Sequence, residues 1–161
     1  MIKYATLLLF LVQSYVSSSQ SIMVGAGGIY GTDIEQVGVN ARVYYGLNEQ
    51  ICFGPEFSYF PKVTHGSESI QLNEYGFVVH YIFEIKEEVG LYPLLGINYS
   101  VEESEYLGYT HTNKAMGAAI GAGMHLEVKN FMPFIEYKYI TGELSQSTFS
   151  LGVIYNFKFT E

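Results

Sequence analysis

Bulky apolar side chains alternate with small or polar ones along most of the chain. In the segment nearest the C-terminus the bulky positions are Phe149, Leu151, Val153, Tyr155, Phe157 and Phe159. A period of two residues places successive side chains on opposite faces of an extended strand. The pattern recurs about eight times, near residues 22–31, 36–46, 51–60, 71–83, 89–101, 114–126, 132–141 and 148–159. It predicts an all-β chain whose eight antiparallel strands close into an up-and-down barrel.

Residues 1–20 follow a different pattern. Lys3 precedes a mainly apolar run over residues 5–12, and a serine-rich polar stretch follows over residues 13–20. This order is typical of a secretory signal peptide, and the apolar run is far shorter than the roughly 18 residues of a membrane-spanning helix. The predicted organisation is therefore a signal peptide over 1–20 and a single barrel domain over 21–161.

The charge and the cysteine content narrow the classes of function. Without the predicted leader the chain keeps 7 basic and 16 acidic residues, a net charge of -9, which argues against nucleic-acid binding. The single cysteine, Cys52, cannot form an internal disulfide. An exported chain of this size then needs another source of stability, and a barrel closed within a bilayer supplies it because every backbone group is paired.

The distribution of side-chain volume predicts which barrel face is outside. One face of the strands is bulky, whereas the other is rich in glycine, as at Gly54, Gly96, Gly121 and Gly152. The interior of an eight-stranded barrel is just wide enough for side chains to fill. A soluble barrel would also need many charges on its outer face, and the strands lack them. The bulky face is thus expected to contact lipid, which makes the barrel transmembrane. A soluble ligand-binding barrel, with the bulky residues around a cavity, is the less favoured alternative.

A few charged and titratable residues fall on the small, inward face. They are Arg42, Glu56, Glu74, His80, His125, Glu136 and Lys138. Buried charges are costly unless they are paired and hydrogen-bonded. The charged members are therefore expected to form a salt-bridged network that fills the lumen.

The connections between strands alternate in length. Those near 47–50, 84–88 and 127–130 are short, whereas 61–70 and 102–113 are read as longer loops. Outer-membrane barrels have short periplasmic turns and longer extracellular loops. The loop over 102–113 mixes acidic and aromatic residues, so its candidates for binding an extracellular ligand are Glu102, Glu103, Glu105, Tyr106, Tyr109 and His111. The alternative without a binding role is a solvent-exposed loop whose tyrosines lie next to an aromatic belt.

The features that carry a family resemblance are the leader, the glycine-rich segment over 25–30, the Gly121-Ala122-Gly123 strand and the closing segment over 151–159. On these features the chain resembles the outer-membrane protein β-barrel family, the small OmpA-like, OmpX-like and opacity-like barrels of Gram-negative bacteria. The resemblance implies residence in the outer membrane, contact with lipid and lipopolysaccharide, and insertion by the barrel-assembly machinery. It also implies that the terminal strand, with Tyr155, Phe157 and Phe159, is the signal for assembly.

The sequence gives little support for a catalytic or a metal site. His65 and Ser67 have a His-x-Ser spacing known from lipid A deacylases, but no acid occupies a matching later position. His80 and His125 could ligate a metal together with Glu56 or Glu74, although two histidines without a short-range motif are a weak signal. Cys52 is read as a small filler. No catalytic residue, metal or cofactor is therefore expected.

The sequence predicts a non-catalytic, monomeric outer-membrane barrel with a structural or surface-interaction role, in envelope integrity or adhesion. A narrow porin-like channel for small solutes is the alternative. The packing of the inward charges separates the two, because a closed network blocks the lumen and a continuous water path permits conductance.

Overall fold

The computed structural model describes residues 21–65, 68–86 and 88–158. The predicted signal peptide, Ser67 and Phe159 lie outside these residues. The strands are β1 Ser21–Gly31, β2 Gln36–Gly46, β3 Ile51–His65, β4 Glu68–Tyr81, β5 Phe83–Lys86, β6 Val89–Tyr106, β7 Tyr109–Leu126, β8 Phe131–Ile140 and β9 Gln146–Lys158. In the described part of the chain, no helix is long and apolar enough to cross a membrane.

The strands form one closed antiparallel barrel. Each strand pairs with its neighbours in the chain, and β1 pairs with β9 from Ser21↔Lys158 to Gly31↔Thr148 to close the circle. β4 and the short β5 occupy one position, because both pair with β6 and only Ile82 separates them. The nine strands therefore fill eight positions, and the predicted eight-stranded up-and-down barrel is confirmed.

The two barrel faces are those that the alternation predicts. Bulky residues on the outer face remain exposed, with Val37 at 69%, Leu95 at 61% and Leu151 at 67%. The residues between them are buried, so that β8 alternates strictly between exposed and buried positions. The outer surface is thus an apolar belt, and side chains fill the interior.

Two segments predicted as loops are strands instead. β3 and β4 continue to His65 and from Glu68, and β6 and β7 extend to Tyr106 and from Tyr109. The ladder between β4 and β6 also continues to Glu68↔Tyr106, so the two long hairpins support each other. Sequence reasoning ended these strands at the last bulky alternating residue. Backbone pairing continues further, because a strand needs no apolar face once neighbouring strands satisfy its backbone hydrogen bonds.

The distal ends of β3, β4, β6 and β7, over residues 61–65, 68–71, 102–106 and 109–114, are called here the projecting sheet. The neighbouring strands are shorter, since β2 pairs with β3 only as far as Tyr59 and β8 pairs with β7 only as far as Ala119. The five residues 102–106 alone correspond to about 17 Å of strand. The barrel end that carries this sheet is called the distal end.

Candidate functional site in the lumen and the projecting sheet

An ion-pair network crosses the middle of the lumen. Arg42 on β2 lies directly opposite Glu56 on β3, and Glu136 and Lys138 lie on the same face of β8. Arg42 donates to Glu136 through Nη1 at 3.0 Å and Nη2 at 3.4 Å, and its Nη1 lies 3.6 Å from Glu56 Oε1. Lys138 Nζ donates to Glu56 Oε2 at 2.6 Å. Two cations and two carboxylates thus join one wall of the barrel to the other.

Uncharged side chains complete the network. Tyr44 donates its hydroxyl to Glu56, and Tyr92 donates to Glu136 Oε2 at 3.1 Å. Arg42 Nε donates to Asn40 Oδ1 at 2.8 Å. The guanidinium carbon lies 4.2 Å from the ring centroid of Phe134. Sequence reasoning did not assign these four residues to the network, although each occupies the inward register of its strand.

Apolar clusters fill the lumen on both sides of the network. Towards the short-turn end the cluster contains Met23, Tyr44, Cys52, Val78, Tyr92, Leu94, Met132, Phe134 and Ile154, with Ile82 packed against it. Towards the distal end, Ile29, Phe60 and Leu72 pack together with Ile34. Because apolar side chains and paired charges succeed one another along the axis, the described interior is packed like a protein core.

The two inward histidines have different surroundings. His80 stacks on Tyr92 with ring centroids 4.6 Å apart and meets Tyr44 edge-on at 4.7 Å. His125 lies beyond Tyr92, at 5.8 Å, and its Nε2 is 4.0 Å from Glu127 Oε1. The structure therefore separates the two histidines by a tyrosine ring.

Possible ligand atoms of Glu56, His80 and Glu136 lie within 4.8 Å of one another. This grouping differs from the weakly supported set considered from the sequence, which combined both histidines with Glu56 or Glu74. Both carboxylates already accept hydrogen bonds from Arg42 or Lys138. A divalent metal here would face two nearby cations, so the arrangement is better suited to holding the barrel together than to metal chemistry.

Glu74 stands apart from this network. Its side chain is 1% exposed, and its Oε1 accepts a hydrogen bond from Gln146 Nε2 at 3.0 Å. Its Oε2 has no hydrogen-bond partner among the described residues. Glu74 is thus the one predicted lumen carboxylate that the described residues leave without a salt bridge within 4.0 Å.

An open cavity of about 400 Å³ lies at the distal end of the lumen. Its lining combines acidic, polar and apolar residues: Asp33, Ile34, Glu35, Ile70, Leu72, Glu102, Glu143, Leu144, Ser145 and Gln146. None of these residues is basic. Gln146 lines the cavity and donates to Glu74, so it connects the cavity with that buried carboxylate.

The six predicted surface candidates all lie on the projecting sheet. Glu102, Glu103, Glu105 and Tyr106 are on β6, and Tyr109 and His111 are on β7. Glu105 pairs with Lys62 of β3, and Glu102 Oε1 accepts from Asn113 Nδ2 at 3.2 Å. Tyr106, Leu107 and Tyr109 are 56%, 70% and 82% exposed, so the tip presents apolar surface to solvent.

The projecting sheet has a free edge along β7. A two-residue turn, Leu107 and Gly108, joins β6 to β7 with positive φ values of 50° and 83°, as tight hairpin turns require. In such a hairpin the flanking residues Tyr106 and Tyr109 form a hydrogen-bonded pair, and the pairing alternates from there. The backbone N–H and C=O groups of Thr110, Thr112 and Lys114 consequently point away from β6, and no described strand pairs with them.

The aromatic residues near the C-terminus lie on the outer face. Tyr155 contacts Phe157 with ring centroids 4.6 Å apart, and Phe131 of β8 packs edge-on against Tyr155 at 5.1 Å. Their role as an assembly signal stays a prediction. His65 ends β3, so the residue is in a strand rather than a loop.

A closed antiparallel barrel with an apolar outer belt and a charged, packed lumen defines the class of small outer-membrane-type β-barrels. The sequence profile of the outer membrane protein beta-barrel domain matches residues 4–157, and the chain belongs to this family. A search of curated proteins gave no match.

Solved structures share the fold. The N-terminal β-barrel domain of Pseudomonas aeruginosa OprF has a TM-score of 0.74 at 18% identity, over 87% of this chain and 100% of that one. Ail, the attachment invasion locus protein of Yersinia pestis, has a TM-score of 0.62 at 21% identity, over 86% and 97% of the two chains. Neisserial surface protein A has a TM-score of 0.59 at 16% identity, over 87% and 97%. The family and these structures point to the outer membrane.

Proposed function

We propose that this protein is a closed, non-catalytic outer-membrane barrel that recognises extracellular partners by strand addition to the β7 edge. The family supports the membrane location, and the short turns at the opposite end support an extracellular position for the distal end. The observation that carries the proposal is the row of outward-facing backbone groups at Thr110, Thr112 and Lys114. An extended peptide bound there would continue the projecting sheet by one strand.

The two free edges of the projecting sheet differ in their capacity to accept a strand. On β3, Pro61 lacks an N–H group and the register shifts between Phe60 and Val63. Proline and bulges are devices that block edge-to-edge pairing. Residues 109–115 of β7 contain no proline, and their pairing with β6 is continuous. Strand addition is therefore expected at β7 rather than at β3.

Charge indicates the kind of partner. The distal end carries the acids Asp33, Glu35, Glu102, Glu103, Glu105 and Glu143 against the lysines Lys62 and Lys114. A basic, extended segment is favoured by this field, whereas a polyanion is repelled. Ail has been solved with the heparin analogue sucrose octasulfate. The acidic distal end of this chain favours the opposite type of ligand.

The test is a pair of substitutions at one outward-facing position. Thr112→Pro removes a backbone donor that β6 does not use, whereas Thr112→Val keeps this donor and the β-branched shape. The probe is a fluorescent peptide of alternating lysine and valine, and binding to the barrel in nanodiscs is measured by anisotropy. Loss of one hydrogen bond that leaves a partner carbonyl unsatisfied costs about 1–3 kcal/mol, or about 5- to 150-fold in Kd.

The expected result is weaker binding by Thr112→Pro and unchanged binding by Thr112→Val. Equal binding by both variants, with the hairpin intact by circular dichroism, would overturn strand addition. Binding that disappears at moderate salt in all variants alike would indicate charge attraction alone.

The channel alternative is opposed by the packed interior. Arg42, Glu136, Glu56 and Lys138 span the lumen, and apolar clusters lie on either side. We therefore expect no stable single-channel conductance in planar bilayers for the purified barrel. Reproducible conductance steps that disappear when a lumen residue is enlarged would favour the channel.

Assembly and oligomeric state complete the proposal. The protein acts as a monomer in contact with lipid and lipopolysaccharide, and the barrel-assembly machinery recognises its terminal strand through Tyr155, Phe157 and Phe159. Replacing Tyr155 and Phe157 together by serine should lower the amount of assembled barrel in cells, while a matched pair on β2, Val37 and Val39, should have a smaller effect. Equal losses from both pairs would contradict a specific signal.

A further inference from the structure

The distal half of the lumen contains buried oxygen atoms that accept no hydrogen bond from any described residue. They are Gln36 Oε1, Glu74 Oε2 and Gln146 Oε1, and each belongs to a residue no more than 2% exposed. Buried acceptors without a partner are uncommon in folded proteins and call for a physical explanation. All three atoms are acceptors, so what would satisfy them is a donor or a cation.

Rotating the amides does not remove these unsatisfied oxygens. Gln36 Nε2 donates to the carbonyl oxygen of Ile70 at 3.3 Å, and Gln146 Nε2 donates to Glu74 Oε1 at 3.0 Å. Exchanging oxygen and nitrogen in either amide would place two acceptors against each other. The amide orientations are thus fixed by their nitrogens, and both oxygens remain available.

Neighbouring contacts connect the three residues. Gln36 pairs with Gly31 across β1 and β2, and a Cβ atom at Gly31 would lie 2.8 Å from Gln146 Oε1. Gln146 in turn contacts Glu74 and lines the distal cavity. The absence of a side chain at Gly31 therefore leaves room for the Gln146 amide at the floor of this cavity.

Charge makes the site attractive to a cation. Within the lumen, Glu56 and Glu136 are paired with Arg42 and Lys138, whereas Glu74 forms no salt bridge within 4.0 Å among the described residues. The nearby Lys138 acts on Glu74 only at longer range and already donates to Glu56. Above it, the cavity is lined by the carboxylates of Asp33, Glu35, Glu102 and Glu143 and by no basic residue. Asp33 Oδ2 accepts from the Ser147 N–H at 2.8 Å and Glu102 Oε1 accepts from Asn113 Nδ2 at 3.2 Å. These donors are neutral, so all four carboxylates keep their charge and attract a cation to the cavity.

We infer that the distal lumen binds a hard divalent cation, Ca²⁺, through Glu74 Oε2 and the amide oxygens of Gln146 and Gln36. Carboxylate and amide oxygens are the ligands that Ca²⁺ prefers, and Ca²⁺ tolerates an irregular set of six to eight of them, with water as the remainder. Mg²⁺ demands a nearly ideal octahedron and suits this irregular cavity less well. The bound ion would neutralise Glu74 and hold the starts of β2 and β9 against β4.

The test is equilibrium dialysis of the refolded, full-length barrel in an uncharged detergent against radioactive Ca²⁺. One ion should bind per chain, with a Kd of about 10⁻⁴–10⁻³ M, as for extracellular calcium modules. A tenfold excess of Mg²⁺ should displace little of it. Saturation at several weakly held ions would indicate surface attraction and overturn the site, as would no binding.

The variants separate the buried site from the acidic surface of the projecting sheet. Glu74→Gln keeps the shape of the side chain and removes its charge, and Gln146→Leu removes an amide ligand; each should weaken Ca²⁺ binding at least tenfold. Glu105→Gln is the control, because this carboxylate is on the projecting sheet and pairs with Lys62. It should leave the Kd within about twofold. Unchanged binding in Glu74→Gln, or equal losses in Glu74→Gln and Glu105→Gln, would refute the inference.

Folding is monitored separately in each variant by gel mobility without heating. If Gln146→Leu fails to fold, Glu74→Gln decides the question, because an uncharged glutamine needs no counter-ion. Ca²⁺ should also raise the urea midpoint of the wild-type barrel and leave that of Glu74→Gln unchanged. An equal rise in both would place the stabilising ion elsewhere.

Discussion

Replacing Arg42 by methionine removes the cation that joins β2 to β8 across the lumen. The guanidinium makes two hydrogen bonds to Glu136, at 3.0 and 3.4 Å, and one to Asn40, and it stacks on Phe134. Methionine can retain the contact with the ring. After the substitution, the Tyr92 hydroxyl is the remaining group among the described residues that donates a hydrogen bond to the buried Glu136 carboxylate.

The burial of the ion pair sets the expected loss of folding stability. Removing one partner of a buried ion pair costs about 3–5 kcal/mol, because the other charge stays buried without compensation. The Lys62–Glu105 pair is the matched control, since its side chains are 49% and 40% exposed. Lys62→Met should cost less than about 1 kcal/mol. Adding Glu136→Gln to Arg42→Met should recover part of the loss, because the two side chains interact directly.

Urea unfolding in detergent micelles measures these differences. The chain has no tryptophan, so unfolding is followed by circular dichroism and by gel mobility without heating. Arg42→Met is expected to lower the midpoint far more than Lys62→Met, and the double variant is expected to lie above Arg42→Met. Equal small effects of both single variants would refute the reasoning, because they would mean that the network is solvated rather than buried.

Two further predictions concern the barrel wall. Leu151→Arg places a charge in the middle of β9 on the outer face, where Leu151 is 67% exposed. It should destabilise the folded barrel in bilayers by about 2–4 kcal/mol. An unchanged urea midpoint would mean that this face does not contact lipid. A Cβ at Gly54 would lie 2.0 Å from the Val43 carbonyl oxygen, whereas a Cβ at Gly28 would meet open space. In the same assay, Gly54→Ala should therefore lower the free energy of unfolding by about 1–3 kcal/mol, and Gly28→Ala should lower it by less than about 0.5 kcal/mol. Equal effects of the two glycine variants would contradict the strand packing.

The membrane-embedded part of the barrel was predictable from the sequence because one physical constraint acts on every residue there. A side chain in the membrane faces either lipid or a narrow lumen, so volume and polarity reveal its direction. Arg42 and Lys138 could be placed inside on this basis alone. Which carboxylate pairs with which cation could not be predicted, because contacts across the lumen depend on strand register and barrel closure.

The projecting sheet was missed for the converse reason. Outside the membrane both faces of a strand can be polar, so the segment around Glu102 to Tyr106 has the composition of a loop. Its strand character comes from pairing with β4 and β7, which is a long-range property. The contact between Glu74 and Gln146 was likewise hidden, because the two residues are far apart in sequence and meet only after the barrel closes.

Fractionation of cells that express the full chain tests the central claim that the bulky barrel face contacts lipid. The protein should sediment with outer membranes, resist extraction by alkali, and migrate on a gel at different positions with and without heating. Recovery in the soluble fraction, with one position before and after heating, would contradict the account, since the bulky residues would then have to face inwards.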